Sequence, residues 1–365
     1  MASLEFVNLW KRYGATVAVR GIDLRIGDGE FVALLGPSGC GKTSTMRMVA
    51  GLEDISEGEI RFDGKSVNWV RPRDRRVAMA FENYALYTTM NVYENLAFPL
   101  RARKWDEARI DARVQEIAST MRLTELLEHG TQELSSGQQQ AVGLARALIR
   151  KPSVLLLDEP ISHLDTQQRS EMRAYLKHLH QSLGYTMVYV THDQEEAMAM
   201  SDRVAVMNDG RIVQVGTPAE VFNAPADVFV AGFIGEPPMN LLEVTADFGA
   251  GVLRHGTQSV PIPSAYHGEF QAAGEHGELV LGVRPFHVAI GEPRANALRG
   301  EIFINEPLGD ASIVTLSLNG TRLLVVAPPG FPGRAGDRVG LTMDPERVLL
   351  FDRANGRAIA RTQLS

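Results

Sequence analysis

The sequence predicts a two-part molecule: a parallel α/β unit over residues 1–235, with a helical subdomain at about 88–150, followed by a small all-β unit over 236–365. Three observations carry this. Short apolar runs alternate with helical patterns through the first two thirds, the arrangement of a parallel sheet with crossover helices. One run, "SVLLLDEP" (153–160), is almost continuously apolar, as a strand buried on both faces requires. After "GEPPMN" (235–240) helical periodicity nearly vanishes, and strand runs punctuated by Gly and Pro take over, the signature of a small barrel or sandwich.

In chain order, "EFVALLG" (30–36) reads as a strand, and "GKTSTMRMVAG" opens a helix that ends at Gly51. Helical stretches follow at 108–128, 137–150 and 166–183, the second stopped by Pro152. "TMVYVTHD" (186–193) is another buried strand. In the second part, "SIVTLSLNGTRLLVVA" places Asn319-Gly320 between two strand runs, the preferred pair for a type I′ hairpin turn. "ELVLGVRPFHVAI" and "DRVGLTMDPERVLLF" read as further strands. No internal repeat or low-complexity tract is visible.

Composition bounds the function. A length of 365 residues implies two or three domains. Hydrophobic residues at 44% and charged residues at 22% fit an ordinary globular chain. A net charge of −7 gives no support for a large nucleic-acid footprint, so no nucleic-acid partner is expected. No apolar run approaches the roughly 18 residues that span a bilayer, and the N-terminal stretch has no secretory h-region. The single cysteine, Cys40, excludes an intrachain disulfide and points to a reducing cytosol. A membrane role would therefore come through a partner.

The chemistry concentrates in a few strings. "GPSGCGKT" (36–43) fits the phosphate-loop pattern between a strand and a helix. Its glycines let backbone N–H groups close around phosphate oxygens, and the helix N-terminus adds a favourable dipole. Gly36, Ser38, Gly39, Cys40, Gly41, Lys42, Thr43 and Ser44 are the expected nucleotide-binding residues. Lys42 would bridge the β- and γ-phosphates, and Thr43 would offer its hydroxyl to Mg²⁺. "VLLLDEP" ends a strand with two acids: Asp158 can hold Mg²⁺ through water, and Glu159 is placed to polarise an attacking water. "LSSGQQQAVGLARAL" begins at Leu134, with Ser135 as an N-cap and an apolar face through Val142, Ala145 and Leu148 or Ile149. Alone it reads as a capped amphipathic helix. His192 follows a strand, where a lone histidine is usually structural or solvated.

The ordered set "GPSGCGKT", "LSSGQ", "LLLDEP", "SHLD" and "VTHD" resembles the ATP-binding-cassette ATPases over roughly residues 3–235. "MRMVAGLE", "NYALY", "THDQEEAM", "GTPAEVFNAPADVFVAGFIGEPPMNLL" and "LGVRP" narrow it to the ATPase subunits of bacterial carbohydrate importers, with the maltose and glycerol-3-phosphate importers as models. The resemblance implies a P-loop NTPase fold followed by an OB-like, TOBE-type regulatory domain, and an ATP- and Mg²⁺-dependent ATPase that energises import of a sugar, polyol, glycerol or glycerol-phosphate. It also implies site roles. Tyr13 would stack on adenine, Ser135, Gly137 and Gln138 would meet the nucleotide of a partner ATPase, His192 would hydrogen-bond the γ-phosphate, and Asp165 would shape the path between two sites. The implied partners are a second ATPase subunit, two transmembrane permease subunits and, indirectly, a periplasmic or lipid-anchored solute-binding protein. The permease coupling helix would meet the loop around Tyr84 to Met90, at the cytoplasmic face of the inner membrane.

Four positions depart from the family pattern. Glu82 stands where Gln is usual; it is expected as a catalytic and metal-site residue, since a carboxylate keeps oxygen ligands for a hard cation but loses an N–H donor. Ser136 replaces the first signature Gly, Ala141 an Arg, and His163 an Asn. Together they suggest an alternative: a catalytically weakened half of a heterodimeric ATPase pair.

Overall fold

The computed structural model describes residues 2–80, 85–266, 276–293 and 298–360, so Glu82 and Tyr84 lie outside the described residues. Two compact units emerge, Met1–Pro218 and Ala219–Ser365.

The strands of the first unit are β1 (Leu4–Tyr13), β2 (Thr16–Ile26), β3 (Phe31–Leu35), β4 (Glu57–Phe62), β5 (Lys65–Ser66), β6 (Val77–Ala80), β7 (Val154–Asp158), β8 (Thr186–Thr191), β9 (Arg203–Asn208) and β10 (Arg211–Gly216). Its helices are α1 (Lys42–Ala50), α2 (Val92–Arg101), α3 (Glu107–Thr120), α4 (Ser136–Leu148), α5 (Thr166–Leu183) and α6 (Gln194–Met200). The main sheet has the order β10-β9-β3-β8-β7-β6, with β9, β3, β8, β7 and β6 parallel and β10 antiparallel at the edge. Every residue of β3 and β8 is buried, as the continuous apolar runs demand. Alternate side chains feed opposite cores. Leu155, Leu157 and Tyr189 join the helical side with Leu96, Ile110 and Leu148. Leu156, Val188 and Val190 join Met46, Val49 and Ile60 on the other face.

That second face is covered by an antiparallel sheet of order β2-β1-β4-β5, which the sequence reading did not anticipate. The reason is visible in β1, where bulges between Phe6 and Leu9, and again on either side of Lys11, shift the register and break the simple alternation of buried residues. The helical region also differs in detail. The expected helix at 108–128 stops at Thr120, because Arg122 takes φ 55 and Leu123 N–H returns to the Ala118 carbonyl. A short 3₁₀ turn, Thr124–Leu126, completes the stretch. Helix α2 carries Pro99 in its last turns, which hid it from periodicity; its start is fixed by the Asn91 side chain accepting from Glu94 N–H.

The second unit carries helices α7 (Pro218–Asn223) and α8 (Val228–Phe233), then β11 (Asn240–Asp247), β12 (Val252–His255), β13 (Gln258–Pro261), β14 (His276–Val283), β15 (Val288–Gly291), β16 (Leu298–Pro307), β17 (Ser312–Leu318), β18 (Thr321–Ala327), β19 (Arg338–Met343) and β20 (Leu349–Asp352). Two antiparallel sheets, β13-β12-β11-β14-β20 and β15-β19-β16-β17-β18, share one core that includes Leu281, Val314 and Leu350. The hairpin at Asn319-Gly320 forms as its residues require: both take positive φ, 48 and 86, and Leu318 pairs with Thr321. Residues 219–235 pack here, with Ala231 against Met239 and Phe351. The expected 1–235 span thus includes helices whose side chains belong to the second unit's core.

Candidate nucleotide site

The phosphate loop joins β3 to α1 and is shaped by glycines that nothing else can replace. At Gly36 an added Cβ would sit 2.2 Å from the Met207 carbonyl oxygen. Gly41 takes φ 103, and its Cβ would lie 2.4 Å from the Ala18 carbonyl oxygen. Gly41 is the N-cap of α1, and no side chain caps that end; the first turn carries no acid. Its N–H groups and positive dipole end are thereby left for an external anion.

Lys42 is buried, and its ammonium donates to the carbonyls of Gly36 at 2.7 Å and Pro37 at 3.0 Å, with the Cys40 thiol at 3.8 Å. None of these partners is an anion. A desolvated cation held only by dipoles is costly unless an opposite charge arrives. Cys40 is itself buried, and burial pushes its thiol above the usual range against the lowering effect of Lys42. Ser38, Gly39 and Thr43 are exposed along the loop, and Ser44 is half-buried. Tyr13 is 43% exposed, and its hydroxyl meets Ser44 Oγ at 3.5 Å while Lys11 Nζ lies 4.6 Å from its ring centroid. An open aromatic face beside a phosphate loop suits a planar base.

Asp158 ends β7 and is half-buried. Glu159 follows in the left-handed region, φ 44, a conformation that costs a non-glycine residue on the order of 1 kcal/mol and is held here by its N–H donating to the Val190 carbonyl. Its carboxylate oxygen lies 3.1 Å from His192 Nδ1. The histidine thus contacts the acid rather than standing alone, because β7 and β8 are parallel neighbours whose ends come together. Behind them is a cluster that sequence reasoning missed. Glu196 is 3% exposed and accepts hydroxyl bonds from Tyr189 at 2.8 Å and Thr191 at 2.7 Å. Burial pushes the Glu196 carboxyl up and the Tyr189 phenol well up. Thr191 Oγ also accepts from Asp193 N–H, and Asp193 caps α6. The "YVTHDQEE" string carried these residue types, but their meeting depends on the turn between β8 and α6.

Ser135 caps α4 in a capping box: its hydroxyl accepts from Gln138 N–H, and the Gln138 side chain accepts from Ser135 N–H at 2.9 Å. Ser135, Gly137 and Gln138 line a cavity of about 750 Å³ together with Gln168, Met172 and Tyr175. Ala141 packs against the helical core. Asp165 caps α5 by accepting from Gln168 N–H at 2.8 Å. Oxygen donors at Thr43 and Asp158 fit Mg²⁺, which is commonly held by one or two protein oxygens with phosphates and waters completing the shell. Among the described residues no cluster of three or more His, Cys, Asp or Glu could hold a metal by itself.

A Gly-built anion cradle with a buried lysine at a helix N-terminus, beside a strand-end acid pair, defines a phosphate-loop nucleotide-binding protein. The comparisons narrow this further. Residues 19–162 match the ABC transporter family, and residues 281–351 match the TOBE domain. The trehalose/maltose import ATP-binding protein MalK of Thermococcus litoralis is 45% identical, over 98% of this chain and 100% of the relative. The sn-glycerol-3-phosphate import ATP-binding protein UgpC of Cupriavidus pinatubonensis is 42% identical, and the sulfoquinovosyl glycerol transport ATP-binding protein SmoE of Agrobacterium fabrum 41%, each over 98% of this chain and 100% of the relative. The solved structure of cbiO1 from Clostridium perfringens, part of the ABC transporter complex cbiONQ, is 32% identical with a TM-score of 0.57, covering 60% of this chain and 89% of that one. The chain belongs to the ABC transporter ATP-binding family.

Proposed function

We infer that this chain is the ATP-binding and ATP-hydrolysing subunit of a membrane importer whose solute is a sugar, polyol, glycerol or glycerol-phosphate. The observation that carries the chemistry is the buried Lys42 ammonium, held only by carbonyls and a thiol in a glycine loop that caps α1. Triphosphate supplies the missing negative charge. The class of solute follows from the full-length likeness to MalK, UgpC and SmoE.

The residues divide the work. Tyr13 offers its ring to adenine, and the loop N–H groups with Lys42 bind the β- and γ-phosphates. Mg²⁺, held by Thr43 and Asp158, would neutralise charge on the phosphate oxygens. Glu159 accepts a proton from water as that oxygen attacks the γ-phosphorus, and the bond to the ADP oxygen breaks. His192, 3.1 Å from Glu159, orients that carboxylate and can donate to a γ-phosphate oxygen. Glu82 lies in the same reading as a metal-site or coupling residue.

Two such chains pair so that Ser135, Gly137 and Gln138 of one meet the nucleotide of the other, with permease subunits as further partners at the cytoplasmic face of the membrane. Among the described residues no helix is long and apolar enough to cross a membrane. A groove of about 930 Å³ in the first unit offers the permease a surface: Leu52, Tyr87 and Phe98 supply apolar contacts, and Arg73, Arg103 and Arg150 line it too.

Glu159→Gln tests the central assignment. Steady-state hydrolysis by the assembled importer should fall at least about a hundredfold, the lower bound of the range for a positioned base, with ATP binding kept. Retained turnover refutes it. Glu82→Gln should change coupled ATPase and transport together: a rise marks the natural residue as a brake, a fall as an adapted ligand.

A further inference from the structure

The amino ends of α4 and α5 are joined side chain to side chain. Ser136 Oγ donates to Gln168 Oε1 at 2.6 Å. Gln168 N–H is in turn held by the Asp165 carboxylate. One turn further along α4, Gln140 donates from Nε2 to the Pro160 carbonyl at 2.7 Å. Ser136 and Gln140 are spaced i, i+4, so both bonds leave the same helix face. Pro160 directly follows Glu159, and Ser162 Oγ donates to the Glu159 carbonyl at 3.0 Å. Gln140 is 1% exposed and its Oε1 has no hydrogen-bond partner, so its orientation is fixed by the single bond to Pro160.

We propose that Ser136, Gln168 and Gln140 are positioning residues that strap the Ser135 end of α4 to the loop carrying Glu159 and Asp165. The proposal rests on the functional reading above, in which Ser135 meets the partner's nucleotide and Glu159 serves the chain's own. The straps then join the surface that senses one nucleotide to the base that acts on the other. Occupancy of the neighbouring site reaches Glu159 as a displacement of α4, through two short bonds rather than through flexible loops. A glycine at position 136 has no hydroxyl to give Gln168, so the departure at this position adds a link instead of merely filling space.

The test is a double-mutant cycle in the full chain, assembled with its permease subunits. Ser136→Ala should lower kcat about fivefold, the loss expected for one hydrogen bond, leave the ATP KM within about twofold, and lower the Hill coefficient for ATP. Gln168→Leu should do the same, and the double variant should add nothing further. Gln168→Glu keeps the acceptor oxygen and should retain both kcat and the Hill coefficient. Additive effects of the two single variants, or an unchanged Hill coefficient in Ser136→Ala, overturn the proposal. Amide hydrogen exchange across residues 159–168 reads the strap without turnover. Ser136→Ala should speed it severalfold at an unchanged melting temperature, and unchanged exchange also overturns the proposal. The functional reading fails separately, if the wild-type chain binds no ATP or if Glu159→Gln hydrolyses it normally.

Discussion

At the residue scale, the charges that matter are those taken out of water. Lys42 gains little from its carbonyl partners compared with what a phosphate would give, so its removal should be felt mostly in binding. Lys42→Ala is expected to weaken ATP binding at least tenfold in a fluorescent-nucleotide titration, on the order of 1.5–3 kcal/mol for a hydrogen bond to a charged group. Glu196 gives a pH signature instead. Its carboxyl is raised by burial, so the protonated form is favoured in the folded state. The stability it contributes is fully present below the unfolded carboxyl value, near 4.5, and is lost as pH rises through the higher folded value. Glu196→Gln should therefore flatten the decline in melting temperature as pH rises above about 4.5. An unchanged slope would remove Glu196 from the titrating set.

At the element scale, helix α1 depends on both of its ends. Its start is the phosphate loop, where Gly41→Ala would force a Cβ onto the Ala18 carbonyl and strain a φ of 103. Its end is held by Arg75, which is buried and donates to the carbonyls of Met48 at 2.6 Å and Val49 at 3.1 Å. The same guanidinium reaches Val70 and Asn68 carbonyls, so one side chain closes the gap between α1 and the turn before β6. Burial lowers the Arg75 pKa, and helix-end carbonyls are the partners that make such burial tolerable. Arg75→Ala should cost about 2–3 kcal/mol, because buried carbonyls lose their donors, and chemical denaturation measures it. Ser135 and Gln138 do the same for α4 through reciprocal capping, and the sequence showed only half of that pair's purpose.

At the scale of the whole molecule, each unit owns a core. The first has apolar clusters on opposite faces of its parallel sheet; the second has one between its two antiparallel sheets and a smaller one where Ala231 meets Met239 and Phe351. Arg284 has its carbonyl partners in the second unit. It is 3% exposed, pushed down to about 10 by burial, and donates to the carbonyls of Phe222, Ala231 and Ile234 while stacking 4.1 Å from the Phe222 ring centroid. Calorimetry should resolve two transitions, and Arg284→Ala should lower one of them, by several degrees, with the other unmoved. A uniform shift of both would contradict separate cores.

By itself the sequence determined what local spacing can encode. The phosphate loop needs glycines at fixed steps between a strand and a helix, the buried strands need unbroken apolar runs, and the hairpin needs residues that accept positive φ at Asn319 and Gly320. These features were legible because each is written within about ten residues. Only the tertiary structure decided which distant groups meet. It brought Glu159 to His192 by setting β7 beside β8, joined Ser136 to Gln168 across 32 positions of chain, and laid the bulged β1 sheet over one face of the core. Composition and periodicity report burial along one element at a time. Contact between elements depends on register and twist, which the whole chain fixes together.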